Sequence, residues 1–437
     1  MIRAGALYIV IIVCLLMAVL TSALVFSSYY HRLQVSVYET DLSLERNLQA
    51  ASLLLLSGDR PVAPGQVMEA DLFRTGEDSI RLQKDSWGVW QSGAASAFLN
   101  GRARHHSFLL GKKITSTDTA AAVLYLSDQN NVLSLAGNTR ISGAVYAPRG
   151  GIRPAIVSGK PFSGGKLTEG PVYKSTPQLP QPEASVTVHL AALTDSVQIK
   201  AHIKPLLVPK LLPYDTLLRS FNEQALACLS PRRIILQHQS LRGRILVFSA
   251  KEIVVERQAL LEDVILSAPV IRICKGFRGT LQAVATDSLI VEDDVQLEYP
   301  SSLVLIRMKD DKELVPVMLV GKRSVVEGSV LSFQKLRSAR MTYALFDEAS
   351  LLYGQLYVDG FLDMKGRVHG TVVTHKFILR TTTSAYENHL LDVEMNAAER
   401  SRSFLYGMFN RGGKNGILKR PAYSNAGIHT TQPNETY

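Results

Sequence analysis

Ile253, Ile271 and Leu289 stand 18 residues apart, and Val255, Ile273 and Val291 keep the same step. So do Ser249, Ser267 and Ala285, and Val247, Ile265 and Ala283. Equivalent residues recurring at this interval imply one structural rung per 18 residues, stacked so that like lies over like. A five-residue pattern, apolar-x-Gly-x-apolar, accompanies the register. It is centred on Gly143, Gly243, Gly279, Gly328, Gly354, Gly360, Gly366 and Gly370. Apolar residues two apart line one face of a strand, and glycine at this density would be costly inside helices. In tight corners glycine is favoured, because the backbone must turn or approach closely. The expected fold is mainly β: a β-solenoid, or β-helix, over 236–395 with irregular insertions. A β-sandwich also alternates, but it would not hold an 18-residue register through three turns.

The N-terminus carries the second strong signal. From Ala4 to Phe26 the chain reads AGALYIVIIVCLLMAVLTSALVF, without a charge. About 20 such residues span a hydrocarbon core of roughly 30 Å. A cleaved signal peptide has an apolar stretch of only about 7–15 residues and a small-residue cleavage site, so a retained single-pass anchor over 1–30 is the better reading. Tyr29 and Tyr30 stand where interfacial aromatics belong. Arg3 and the terminal amine oppose only His31 and Arg32, which leans towards a cytoplasmic N-terminus. The expected location is the inner membrane, with the C-terminal domain outside the cytoplasm. Leu33, Val37, Leu44, Leu48 and Leu55 form a stripe with charges on the other faces, so an amphipathic helix is expected to continue over 31–58, stopped by Gly58 and Pro61. That stripe suits packing on the chain's own next domain, with self-association or a partner helix as alternatives.

Between anchor and repeats, 70–150 reads as a β-rich region entering the solenoid, with strands at Ser79–Leu82, Trp87–Trp90, Ser107–Leu110 and Ala122–Leu126. Residues 151–235 read as a Gly/Pro-rich loop followed by a short helix at Tyr214–Leu229, capped by Asp215. Residues 396–437 read as a disordered basic tail, holding Arg400, Arg402, Arg411, Lys414, Lys419 and Arg420 against two glutamates.

Chemistry is harder to find. The net charge of +10 is compatible with lipid, an acidic polymer or nucleic acid, but no basic stripe interleaved with aromatics supports nucleic acid as a partner. Cys14, Cys228 and Cys274 have no ligand-spaced neighbours; a Cys228–Cys274 bond stays open. Carboxylates that could serve a carbohydrate-active solenoid are Glu262 with Asp263, Asp287, Asp293 with Asp294, and Asp359 with Asp363, yet none recurs with a second motif. His105 and His106 read as a basic loop. His369 and His375 flank a strand, with His369 pointing outward to the surface. The stretch from Gly159 to Thr168 has the wrong glycine spacing for a phosphate loop. No catalytic, cofactor-binding or metal residues are assigned, and no cofactor is expected.

Two resemblances follow from these residues. The run LLYGQLYVDGFLDMKGRVHGTVVTHKFIL resembles the repeats of bactofilin-like, polymer-forming β-helix proteins, over 323–380 and more loosely 241–306. The opening GALYIVIIVCLLMAVLTSALVFSSYY resembles the N-terminal helix of pilin-like and pseudopilin-like membrane proteins, although their early helix glutamate is absent. Together they imply a non-enzymatic, membrane-anchored scaffold, assembly or adhesion component of the envelope, possible self-association, and a pilus- or secretion-like setting with envelope proteins as partners. The alternative is a membrane-bound carbohydrate-active enzyme or glycan-binding protein, which keeps a glycan open as a ligand.

Overall fold

The computed structural model describes residues 2–57, 62–72, 76, 78–113, 122–308, 315–334, 341–381, 383–399, 404–407 and 415–419. It is mainly β behind one long apolar helix, α1 (Ile2–Ser57). At 1.5 Å per residue α1 is about 84 Å long. Gly58 and Pro61 lie outside the described residues.

Four antiparallel strands follow: β1 (Val67–Ala70), β2 (Asp78–Trp87), β3 (Trp90–Leu99) and β4 (Arg102–Lys112). A fifth, Asn415–Lys419, returns from the C-terminus to pair with β4. Leu44, Leu48, Ala51 and Leu55 of α1 are buried against Ile80, Leu82, Ala95, Ala97, Phe108 and Leu110 of this sheet. Their spacing of 4, 3 and 4 puts them on one helix face. The sheet answers with small residues. A Cβ at Gly93 would come within 2.7 Å of a Leu55 methyl, so a larger side chain there would push the helix away.

Most of the remaining strands form a closed, mainly parallel barrel with extra strands, beside a short hairpin (Ile156–Val157 with Lys160–Pro161) and a three-stranded sheet (Leu133–Ala136, Ile152–Pro154 and His389–Leu391). Long strands such as Leu260–Ile273, Arg278–Val291, Leu351–Met364 and Arg367–Arg380 each contribute to three walls. On one wall Ile253 pairs with Ile271, Ile271 with Leu289, Leu289 with Met318, and Met318 with Ala344, all facing the core. The Ile253–Ile271–Leu289 and Val255–Ile273–Val291 columns are thus as the 18-residue register requires. The other two columns slip. Val247 pairs with Leu266, which pairs with Ala283, so Ile265 is not in that column. Ser267 likewise lies between Phe248 and Val284, not between Ser249 and Ala285. Register shifts at Glu262/Val264 and Ala268/Val270 turn equal steps into steps of 19 and 17.

The displaced Ile265 faces outward, and that outer surface is covered. Leu246, Ile265, Val284, Val304 and Leu331 are buried there against Trp87, Trp90, Leu190, Leu193 and Ile199. This wall is apolar on both sides, which explains unbroken runs such as Ile245–Phe248 and Leu303–Ile306. The cover comes from the β2–β3 turn and from two helices, α2 (Ala184–Ala192) and α3 (Ser196–His202).

The chain does not wind from one end to the other in order. Leu124–Leu126 pairs with Val372–Thr374, and Arg140–Ser142 pairs with Glu394–Asn396. Residues 122–174 therefore extend the end of the barrel where 367–396 finish. From there the chain crosses through α2 and α3 and starts the opposite end at Leu206–Val208.

Several expectations are corrected. Residues 78–112 make a separate antiparallel sheet rather than entering the repeats, and Trp87 and Trp90 flank a turn. Tyr214–Leu229 is not a helix. It holds the strand Thr216–Arg219 and the start of Leu226–Ser230, while Asp215 accepts from the Leu212 amide at 2.6 Å. Leucines at 217, 218 and 226 suit either element; here the parallel partners at 240–249 decide. Within 151–235 lie short strands plus α2 and α3, not only loop. In the C-terminal region Phe404, Leu405 and Tyr406 are buried and 415–419 is a strand; 400–403, 408–414 and 420–437 lie outside the described residues.

One side chain fastens the sheet's turn to the barrel. The Val89 amide donates to Gln282 Oε1 at 2.8 Å, and Gln282 Nε2 donates to the Trp87 carbonyl at 2.9 Å. Beside it, Arg244 meets Asp85 at 2.7 Å in a largely buried ion pair. Gln282→Leu would strand two backbone groups beside a buried wall. A loss of about 2 kcal/mol is expected, read as a lower urea midpoint with an unchanged slope.

Candidate functional site: the half-bare helix and the engaged polar groups

α1 is divided in two. From Leu7 to Tyr30 its large apolar side chains are exposed, and its most apolar 18-residue window has mean hydropathy 3.0 and is 0% buried. From Leu44 onward the buried face lies on the sheet. Asp41 and Glu45 fix the crossing by pairing with Arg104 at 3.3 and 3.4 Å. Asn47 adds a 2.6 Å bond to Asp78. Leu33, Val35, Tyr38 and Leu42, between these halves, are exposed. So only the lower part of the expected stripe packs on the chain itself. An uncharged helix face more than 20 residues long cannot stay in water without a large free-energy cost.

The carboxylates singled out from the sequence are engaged locally rather than gathered in one cleft. Glu262 and Asp263 both reach Lys419 Nζ, at 2.6 and 3.0 Å. Burial alone would lower the Lys419 pKa, but Asp263 and Glu262 outweigh it and raise it. This trio pins the C-terminal strand to the barrel. Asp294 makes two bonds to Arg323, at 2.7 and 2.9 Å, and Arg323 holds its carboxyl below the usual range. Asp293 accepts from the Lys322 amide at 2.9 Å, and Asp287 accepts from Thr286 at 2.9 Å. Asp363 bonds Tyr343 at 2.9 Å, and burial pushes its pKa up.

Asp359 enters an arrangement that the sequence reading missed. Its Oδ1 lies 3.0 Å from His375 Nε2, and His375 Nδ1 lies 3.0 Å from Ser127 Oγ. The order is that of an activated hydroxyl nucleophile. However, Ser127 is 0% exposed and its hydroxyl also donates to the His375 carbonyl at 3.0 Å. A substrate could not reach that oxygen, and the trio joins the N-terminal segment to Arg367–Arg380. A separation of 248 residues between Ser127 and His375 hides it in sequence. Asp359 also edges a groove of about 960 Å³ between α2–α3 and the barrel, lined by Thr187, Gln198, Ile306 and Phe333 among others.

His369 and His375 lie on one strand but meet different partners. His369 is not a surface residue: it is 6% exposed, beside Glu394 and Glu399. His105 and His106 belong to β4 rather than a loop, and His105 Nδ1 lies 2.8 Å from Ser96 Oγ. Residues 159–168 begin in an exposed hairpin strand and lead to no helix before Ala184. The cysteines are free thiols. Burial pushes Cys228 up, and burial with Glu256 and Glu292 pushes Cys274 up to about 11, so neither is an activated nucleophile.

No protein-family model matches the chain, and no curated protein matches it. Among solved structures it is similar to the competence-associated pilin ComZ from Thermus thermophilus, at 10% identity, over 82% of this chain and 86% of that chain, with a TM-score of 0.21.

Proposed function

We propose that this chain is a membrane-anchored, non-enzymatic envelope protein, with α1 as a single-pass inner-membrane anchor and the β domain outside the cytoplasm. In this reading the parallel barrel is a β-solenoid acting as a rigid scaffold for envelope proteins in a pilus- or secretion-type assembly. The division of α1 carries the proposal. One end is welded to a sheet by Leu44, Leu48 and Leu55, and the other stands bare over a bilayer's depth. Such a helix places a stiff domain at a fixed height above a membrane. Its exposed middle, Leu33 to Leu42, remains available to neighbouring helices. The local engagement of the carboxylates and the burial of Ser127 support a structural rather than catalytic use of the barrel.

Three measurements test it. Leu15→Arg with Val19→Arg places charges in the bare half at roughly 3 kcal/mol each. Most of the protein is then expected to leave the membrane pellet after a carbonate wash, whereas the native chain stays. A photo-crosslinking residue at Tyr38 is expected to capture another envelope protein or a second copy. Release of the native chain by carbonate, or no protein adduct from Tyr38 in intact cells, would count against the proposal. Protease access to the β domain in cells with an opened outer surface checks the orientation.

A further inference from the structure

The polar group least explained by the scaffold reading is His369. It lies on Arg367–Arg380, its side chain 7% exposed, with Tyr353 packed edge-on at 5.0 Å. Both ring nitrogens are buried without a hydrogen bond. Nδ1 is 3.1 Å from Glu399 Oε2 and Nε2 is 4.0 Å from Glu394 Oε1, so the groups are close but outside hydrogen-bond geometry. A buried imidazole left in that state is unfavourable. One donor atom from each of His369, Glu394 and Glu399 lies within 4.8 Å of the other two.

We propose that His369, Glu394 and Glu399 bind a divalent transition metal, Zn²⁺ being the fitting ion. One imidazole nitrogen and two carboxylate oxygens, with a fourth position open to water, are a donor set that zinc accepts. Donors around a tetrahedral zinc are about 3.3 Å apart, given bonds of about 2.0–2.1 Å. The His369–Glu399 distance already suits this; Glu399 is half exposed and its other oxygen accepts only from Asn396 Nδ2 at 3.2 Å, a contact that yields as the carboxylate closes the rest and gives the ion a path in. Two carboxylates balance the charge of the ion. A hydrogen-bonded imidazolium would leave the ring nitrogens aligned with the glutamates, and they are not.

The position suggests what the ion would do. Glu394 stands opposite Arg367 on one neighbouring strand and Arg140 on the other. This is the joint where the end of the repeats meets the N-terminal segment. A metal held by residues 369, 394 and 399 would clamp the strand Glu394–Asn396 to Arg367–Arg380 at that joint.

The test uses the detergent-solubilised full chain, stripped with chelator and titrated with Zn²⁺ and, separately, Co²⁺. Native protein is expected to retain one more equivalent of zinc than His369→Gln, and to gain amide-exchange protection over 394–399 on zinc addition. Glu399→Gln, a change at a half-exposed site that leaves the fold intact, is expected to weaken binding by about tenfold or more. Equal zinc retention by native and His369→Gln protein would overturn the site. Zinc binding that Glu399→Gln leaves unchanged, or that brings no protection at 394–399, would do the same.

Discussion

Replacing Gly354 by alanine is expected to cost on the order of 3 kcal/mol or more, enough to leave much of the chain unfolded in a marginally stable domain. Gly354 has φ 142°, where side chains are strained, and sits in a column with Gly328 and Gly370. A Cβ there would run into the Gly328 carbonyl oxygen, which belongs to backbone and cannot swing aside, and would meet the Phe404 ring at 2.7 Å. The clash sits on strands that share core residues with their neighbours, so a local shift would propagate. Gly151 provides the control. It also has positive φ, at 77°, but a Cβ there would meet nothing within 4 Å. Gly151→Ala should cost only about 1 kcal/mol, the conformational part alone. Chemical denaturation of both variants checks the contrast; equal midpoints would show that the glycine corner is not under backbone contact.

Acid should loosen the junction between the sheet and the barrel through His189. This side chain lies in α2, where its Nε2 accepts from the Gly88 amide at 3.3 Å, in the turn that Gln282 grips. Burial, with the His202 charge as a lesser cause, lowers its pKa to about 4. Above about pH 6.5, the ordinary histidine value, it is neutral whether the chain is folded or not, and the full stability is present. As pH falls from about 6.5 towards 4, the unfolded chain takes up a proton that the folded chain refuses. Stability therefore drops by about 1.4 kcal/mol per pH unit, on the order of 3 kcal/mol in all, and levels off once the folded histidine also protonates. His189→Gln retains an acceptor without the titration. Its stability should lose that slope between pH 6.5 and 4; an unchanged slope would assign the acid sensitivity elsewhere.

What could be read from the sequence was what local periodicity determines. The uncharged run to Phe26, the helix through Leu55 and the Ile253–Ile271–Leu289 column are all where the spacing put them. The Ile265 column failed because bulges change the step by one residue, and a wall covered on both sides has no polar alternation to mark its register. Tyr214–Leu229 was ambiguous since four-residue strands are too short for a period to show. The pairing of 124–126 with 372–374 and of 140–142 with 394–396 joins residues about 250 apart, and the crossing through α2 and α3 rests on contacts with the β2–β3 turn and the barrel wall; no local pattern encodes either. The His369–Glu394–Glu399 group was hidden for a related reason: outward alternation from Val368 predicts exposure, but the later segment around Glu399 folds over it.

Native Cys14 lies in the middle of the bare half of α1, exposed on the protein's own surface. A nitroxide placed there, with Cys228 and Cys274 changed to serine, reports its surroundings in liposomes through collisions with oxygen and with a water-soluble nickel chelate. A helix buried in lipid gives strong oxygen relaxation and little from nickel. Nickel collisions at the level of a water-exposed site would contradict the anchor on which the scaffold reading stands.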